Sequence, residues 1–172
     1  MKIPWSGRSH NFDKKDISFL VNIIKEADPL TQGKFLEKFE SIFSKYIGKK
    51  NVFAVSSAAA ALEIIALLAD IKKDDEVIIP AHTYCASAIP FARNGAKIIW
   101  ADINFKTRVA DLIDVKRKIT SKTKAIILVH LYGYALDFKE IISYCKKRKI
   151  KIIEDCAQAL GAEIDGKKAG SL

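Results

Sequence analysis

A chain of 172 residues that is 49% hydrophobic can bury the core of one domain of ordinary size. Its formal charge of +9 comes from 29 Lys and Arg spread along the chain against 20 acidic residues; the densest run, Lys146-Lys147-Arg148-Lys149, falls where a helix should end before a buried strand, so nucleic acid is not the expected partner. No stretch has the roughly 20 uninterrupted apolar residues of a membrane helix; MKIPWSGRSHNF lacks a secretory apolar run, and Cys85, Cys145 and Cys156 form no C-x-x-C pair and no cluster with His10, His82 or His130, so the chain reads as cytoplasmic, without disulfides or a metal site.

Two amphipathic helices are predicted first, over 14–27 and 34–47. The first gathers Ile17, Leu20, Val21 and Ile24 on one face, with Asp13 as its N-cap. The second carries Phe35, Phe39, Ile42, Phe43 and Tyr46, and the segment from Asp28 to Gly33 between them reads as a turn. Beyond them, short apolar runs predict strands over 51–55, 76–80, 97–100, 124–129 and 151–154, with helices over 58–69, 87–94, 115–118 and 138–149. In the last helix Phe138, Ile141, Ile142 and Cys145 make a single stripe. The alternation predicts an α/β fold with a mostly parallel sheet and right-handed crossovers. It also predicts an N-terminal helical segment over 1–50 and a sheet domain over 51–172. The last strand is followed by a turn over 164–168 and no closing helix, so the sheet domain is expected to be truncated.

In such sheets ligands bind at the carboxyl ends of the strands. After the run over 51–55, Ser56-Ser57 lead into Ala58-Ala59-Ala60-Ala61, a helix start with free N–H groups and room for a phosphate; the alternative is an ordinary serine N-cap. After the run over 76–80, Tyr84 can stack on a planar ring or simply pack. After the run over 151–154, Asp155 needs a partner to stay charged. It either meets a protonated pyridine nitrogen or caps a helix. Gln158, three residues on, reaches the same ring if this segment turns helically. His130 either lines this cleft or is structural. No Gly-x-Gly-x-x-Gly or Gly-x-x-x-x-Gly-Lys-Ser/Thr run follows any strand, which disfavours an unrelated nucleotide-binding domain.

Read in order, IPWSGR, DPLTQGKFLEKFE, AVSSAAAALE, DDEVIIPAHTY, GAKIIWADIN, VHLYGYALD and IIEDCAQALGAEIDGKKAGS resemble the DegT/DnrJ/EryC1/StrS family of pyridoxal-phosphate (PLP) sugar aminotransferases. The resemblance implies the large-domain fold of aspartate aminotransferase, fold type I. By position, Asp155 corresponds to the aspartate that pairs with the pyridine nitrogen, Gln158 to the glutamine beside the ring and Tyr84 to the stacking aromatic. Ala58 and Ala59 fall where the family has a small residue and a threonine that hold the phosphate, with Ser57 at the same helix start. Ala59 departs from the pattern by lacking the hydroxyl. Trp5-Ser6-Gly7-Arg8 resembles a segment that approaches the active site near the dimer interface. The family continues past Gly-Ser into a Ser-Phe segment bearing the Schiff-base lysine. Lys167 and Lys168 precede that position, so no catalytic residue is assigned and the chain is expected to be inactive alone. The implied reaction is amino transfer from an amino-acid donor to a nucleotide-linked keto-sugar, for cell-surface polysaccharide or aminosugar synthesis, in a homodimer. The alternatives are a PLP sugar dehydratase, with histidine in place of the lysine, and a non-catalytic regulatory or dimerisation module.

Overall fold

A computed structural model describes residues 12–29 and 31–171. The expectations for His10, for Leu30 in the turn and for Trp5-Ser6-Gly7-Arg8 lie outside those residues. The chain forms two compact units, Met1–Ala54 and Val55–Leu172.

In the first unit, α1 (Lys14–Glu26) starts at a reciprocal cap. The Asp13 carboxylate accepts the N–H groups of Lys15 (2.7 Å) and Asp16 (2.9 Å), while the Asp16 carboxylate accepts the N–H of Asp13 (3.0 Å). Two donors that the helix itself leaves orphaned are thereby satisfied. Helix α2 (Lys34–Ile47) stops at Gly48, whose φ of +70° lets its N–H reach the Ser44 carbonyl at 2.9 Å. Phe39 stacks on Phe43 along α2, with ring centroids 5.8 Å apart. Neither helix contains a buried residue.

The strand expected over 51–55 does not form. A strand persists only with a neighbouring backbone to pair with, and among the described residues no ladder includes this run. The N–H of Ala54 is met instead by the Glu40 carboxylate at 2.8 Å, and Phe53 is exposed.

The second unit is the parallel sheet. Helix α3 (Ala58–Leu68) leads to β1 (Glu76–Pro80), followed by a 3-10 turn at Cys85–Ser87 and α4 (Ile89–Arg93). Then come β2 (Lys97–Ala101), α5 (Leu112–Lys118), β3 (Thr123–Val129), a 3-10 turn at Leu131–Gly133, α6 (Lys139–Lys147) and β4 (Lys151–Asp155). A hairpin of β5 (Glu163–Ile164) and β6 (Lys167–Lys168) follows. The strand order is β2-β1-β3-β4, and every pairing in this sheet is parallel. Val77, Ile78 and Ile79 of β1 and Ile126, Ile127 and Leu128 of β3 are fully buried, which explains their unbroken apolar runs. Leu62 and Ala66 of α3, Phe91 of α4, Val115 of α5 and Ile141 and Cys145 of α6 complete the same core.

Several boundaries differ from expectation for local reasons. The helix over 87–94 is divided at Ala88, with Pro90 accommodated in the first turn of α4, where a missing N–H costs nothing. Helix α5 begins three residues earlier than its apolar pattern indicated, because Asp111 caps it by accepting the Ile113 N–H at 2.9 Å. Helix α6 ends at Lys147, where Lys146 and Lys147 sit at the negative end of the helix dipole and the Arg148 guanidinium lies 3.8 Å from the Tyr144 ring.

One buried charge fastens α5 to the end of β2. Asp114 is buried, accepts the Asp102 N–H at 2.7 Å and pairs with Lys118 at 2.9 Å and with Arg117. The backbone N–H first, and the two cations with it, hold its carboxyl down at about 2. Among the described residues no helix is long and apolar enough to cross a membrane.

Candidate functional site

From β1 the chain moves outward to β2 and then returns to the other side of β1 for β3. The crossovers therefore diverge above the carboxyl ends of β1 and β3, where a doubly wound sheet opens a crevice. A cavity of about 370 Å³ lies there, lined by residues that follow β1, β3 and β4 and by the start of α3.

The α3 wall is built by capping. Ser57 is extended (φ −165°), and its hydroxyl accepts the Ala60 N–H at 3.1 Å while its carbonyl accepts the Ala61 N–H at 3.1 Å. The serine-cap reading is thus correct for Ser57, and it does not compete with anion binding. The N–H groups of Ala58 and Ala59 have no acceptor within the helix, and both residues line the cavity. Methyl side chains leave these donors accessible to a ligand.

The opposite walls carry the ring-binding candidates. Tyr84 lines the cavity and is largely exposed, so one ring face is open to a ligand. Asp155 ends β4 and is half-buried at the cavity wall. Its Oδ1 accepts the Ala157 N–H at 3.1 Å, and its Oδ2 accepts the Ser87 hydroxyl at 2.7 Å. Turns rather than a helix follow, so the helix-cap alternative for Asp155 fails. Gln158 also lines the cavity, but not through the helical turn that the spacing suggested. Its Oε1 accepts the N–H of Tyr132 at 3.2 Å, and Tyr132 takes a left-handed conformation (φ +54°). The turn after β3 therefore orients Gln158. Leu62, Val129 and Leu131 supply apolar surface between these groups.

Ser57, Ala58, Ala59, Tyr84, Asp155 and Gln158 thus share one cavity, although the start of α3, the crossover after β1 and the end of β4 with the segment beyond it contribute them. Among the described residues Asp155 is the only charged one lining it, and no lysine does. Lys167 and Lys168 belong to the β5–β6 hairpin, where Lys168 pairs with Glu163 at 2.7 Å.

His130 is fully buried and is not part of the cavity wall, so its cleft alternative is withdrawn. Its Nδ1 accepts the Leu136 N–H at 2.9 Å, which leaves Nε2 to carry the proton and face Glu154 Oε2 at 3.3 Å. The same Glu154 oxygen accepts the Gly170 N–H at 2.8 Å. One carboxylate therefore links the end of β3 to the segment after the hairpin.

The expectation that no cysteine meets a histidine needs correction. Ligand atoms of His130, Glu154 and Cys156 lie within 4.8 Å of one another. Burial first, and then the charges of Glu154 and Asp155, push the Cys156 thiol up to about 12, and both nitrogens of His130 are engaged within the fold. The sequence reading also passed over Thr83 and Ser87. Ser87 is buried, and the two hydroxyl oxygens lie 2.8 Å apart. A small hydroxyl residue beside a strand end gave no signal of the contact that Ser87 makes with Asp155, 68 positions away.

A family model described as the DegT/DnrJ/EryC1/StrS aminotransferase family matches residues 11–172. The chain is 40% identical over 159 residues to a dTDP-3-amino-3,6-dideoxy-alpha-D-galactopyranose transaminase of Aneurinibacillus thermoaerophilus, covering 92% of this chain and 44% of that protein. It is 34% identical over 161 residues to a GDP-perosamine synthase of Vibrio cholerae, covering 94% and 44% respectively. Among solved structures, the E. coli GDP-4-keto-6-deoxy-D-mannose-3-dehydratase with bound hydrated PLP superposes with a TM-score of 0.85 at 28% identity, over 94% of this chain and 43% of that one. The chain thus spans less than half the length of these relatives. With the match running through both units and the strand-end cavity, the chain belongs to the DegT/DnrJ/EryC1/StrS aminotransferase family.

Proposed function

We propose that the cavity is the cofactor site of a PLP-dependent aminotransferase that acts in the cytoplasm on a nucleotide-linked keto-sugar, with an amino acid as donor. The observation that carries this reading is the position of Asp155. A half-buried carboxylate faces the same cavity as two unpaired helix N–H groups and an open tyrosine ring. These groups fit a phosphorylated pyridine: backbone donors for the phosphate, an aromatic face for the ring and an anion for a protonated ring nitrogen. When bound, the cofactor supplies an electron sink for chemistry at the amino-bearing carbon.

The residues of the chain bind and orient. The N–H groups of Ala58 and Ala59, at the positive end of the α3 dipole, hold phosphate; among the described residues no cationic side chain lines the cavity. Tyr84 fixes the ring plane, Gln158 braces it from the β4 side, and Asp155 keeps the ring-nitrogen proton in place. Leu62, Val129 and Leu131 keep water from the ring, which strengthens the Asp155 interaction. The expected homodimer is supported by α1, which leaves Ile17, Leu20, Val21 and Ile24 exposed.

The 3-dehydratase resemblance sustains a second reading, because this part of the site would serve either reaction. Binding tests the shared claim. The chain should bind PLP and pyridoxamine phosphate (PMP) well above their dephosphorylated counterparts. Equal affinity for pyridoxal and PLP refutes the proposal. Product analysis of the parent protein, with a GDP-linked 4-keto sugar and glutamate, then separates amino transfer from dehydration.

A further inference from the structure

We infer that Ser87, held by Thr83, is a positioning residue that fixes the Asp155 carboxylate toward the ring nitrogen of the cofactor; this rests on the reading of Asp155 given above. Ser87 is 1% exposed, and its hydroxyl lies 2.7 Å from Asp155 Oδ2. A serine hydroxyl has one proton. With that proton given to Asp155, the contact at 2.8 Å must run from the Thr83 hydroxyl to the Ser87 oxygen. The relay is therefore directional, from Thr83 to Ser87 to Asp155, and it begins with a residue that itself lines the cavity.

The two donors on Asp155 differ in what they hold. The Ala157 N–H sits two residues along the same turn and moves with it. Ser87 belongs to the crossover after β1, which is separated from β4 by β3 in the sheet. One local donor leaves the carboxylate free to swing about its own side-chain bond. A second donor, rooted in another element and fully buried, fixes its plane. Each carboxylate oxygen then keeps a lone pair for one further partner, and the cavity offers the space for it. As a carboxylate Asp155 can only accept, so the Ser87 proton is committed to this contact and the Ser87 oxygen is left to accept from Thr83.

Positioning and simple electrostatics predict opposite signs. If Ser87 only withdrew charge from the carboxylate, removing it would leave a stronger anion and raise the midpoint at which the ring nitrogen deprotonates. If Ser87 orients the carboxylate, removing it weakens the contact and lowers that midpoint. The experiment is a pH titration of PMP labelled with 15N in the ring and bound to the full chain, read from the nitrogen chemical shift. The ring midpoint in Ser87→Ala should fall by about one unit, roughly tenfold in the proton equilibrium, a size set by one charge-assisted hydrogen bond. Thr83→Val, which leaves Asp155 and its direct donors in place, should fall in the same direction by less. A midpoint that is unchanged or raised in both variants, with Asp155→Asn lowering it, overturns the inference and leaves the cofactor site standing. A midpoint unmoved by Asp155→Asn overturns the role of Asp155 and the inference with it.

Discussion

Ala59 offers a gain-of-affinity test of the phosphate site. It occupies the second position of α3, lines the cavity and carries an N–H without a helical acceptor, but it lacks a hydroxyl. Ala59→Thr adds one donor beside the place proposed for the phosphate. A hydrogen bond to a charged group contributes about 1.5–3 kcal/mol. The roughly 0.5 kcal/mol that a β-branched residue costs in place of alanine within a helix falls on folding stability and not on affinity, because α3 is formed without the ligand. That gain of about 1.5–3 kcal/mol corresponds to roughly 10- to 150-fold tighter binding as an upper range. Calorimetric titration with PLP and, separately, with pyridoxal measures it. PLP affinity should rise by that factor while pyridoxal affinity stays unchanged. An equal gain for both ligands, or none for PLP, would show that phosphate does not sit at the start of α3.

The remaining predictions concern charges and ties that the fold fixes. Asp114→Ala leaves the Asp102 N–H without its acceptor and should lower stability by about 1–3 kcal/mol, several degrees in Tm. Because the folded state holds the Asp114 carboxyl down at about 2, the stability it adds is complete above the ordinary carboxylate range near pH 4 and is lost as pH falls through 2; the acid limb of a Tm-against-pH curve should flatten in the variant. With iodoacetamide at pH 8 and mass-spectrometric readout, exposed Cys85 should be alkylated while Cys145 and Cys156, both raised chiefly by burial, are spared. Glu154→Ala removes the acceptor shared by His130 and Gly170, so limited proteolysis should cut the segment around β5 and β6 much faster than in the parent chain; equal rates would show that the tie holds nothing.

The sheet was legible because β1 and β3 are buried on both faces and leave continuous apolar runs such as Val77-Ile78-Ile79 and Ala125-Ile126-Ile127-Leu128. The run over 51–55 has a similar composition, yet composition does not supply the neighbour a strand must bond to. That the candidate residues share one cavity was legible for another reason: loops and helix starts converge at the strand ends of a parallel sheet, and the candidates were taken from those ends. The connections between ends were not legible. The contacts of Ser87 with Asp155, of Gln158 with the Tyr132 backbone and of Glu154 with His130 and Gly170 join residues far apart in the chain through sheet order and turn geometry, neither of which has a local signature. Cys156 shows the same limit, since its proximity to His130 follows only from the pairing of β3 with β4.

The most direct test is a crystal structure of the chain grown with PMP. The account predicts phosphate oxygens on the N–H groups of Ala58 and Ala59, the ring against Tyr84 and the ring nitrogen within hydrogen-bond reach of Asp155. PMP bound elsewhere, or seated in the cavity with its ring nitrogen turned away from Asp155, would contradict it.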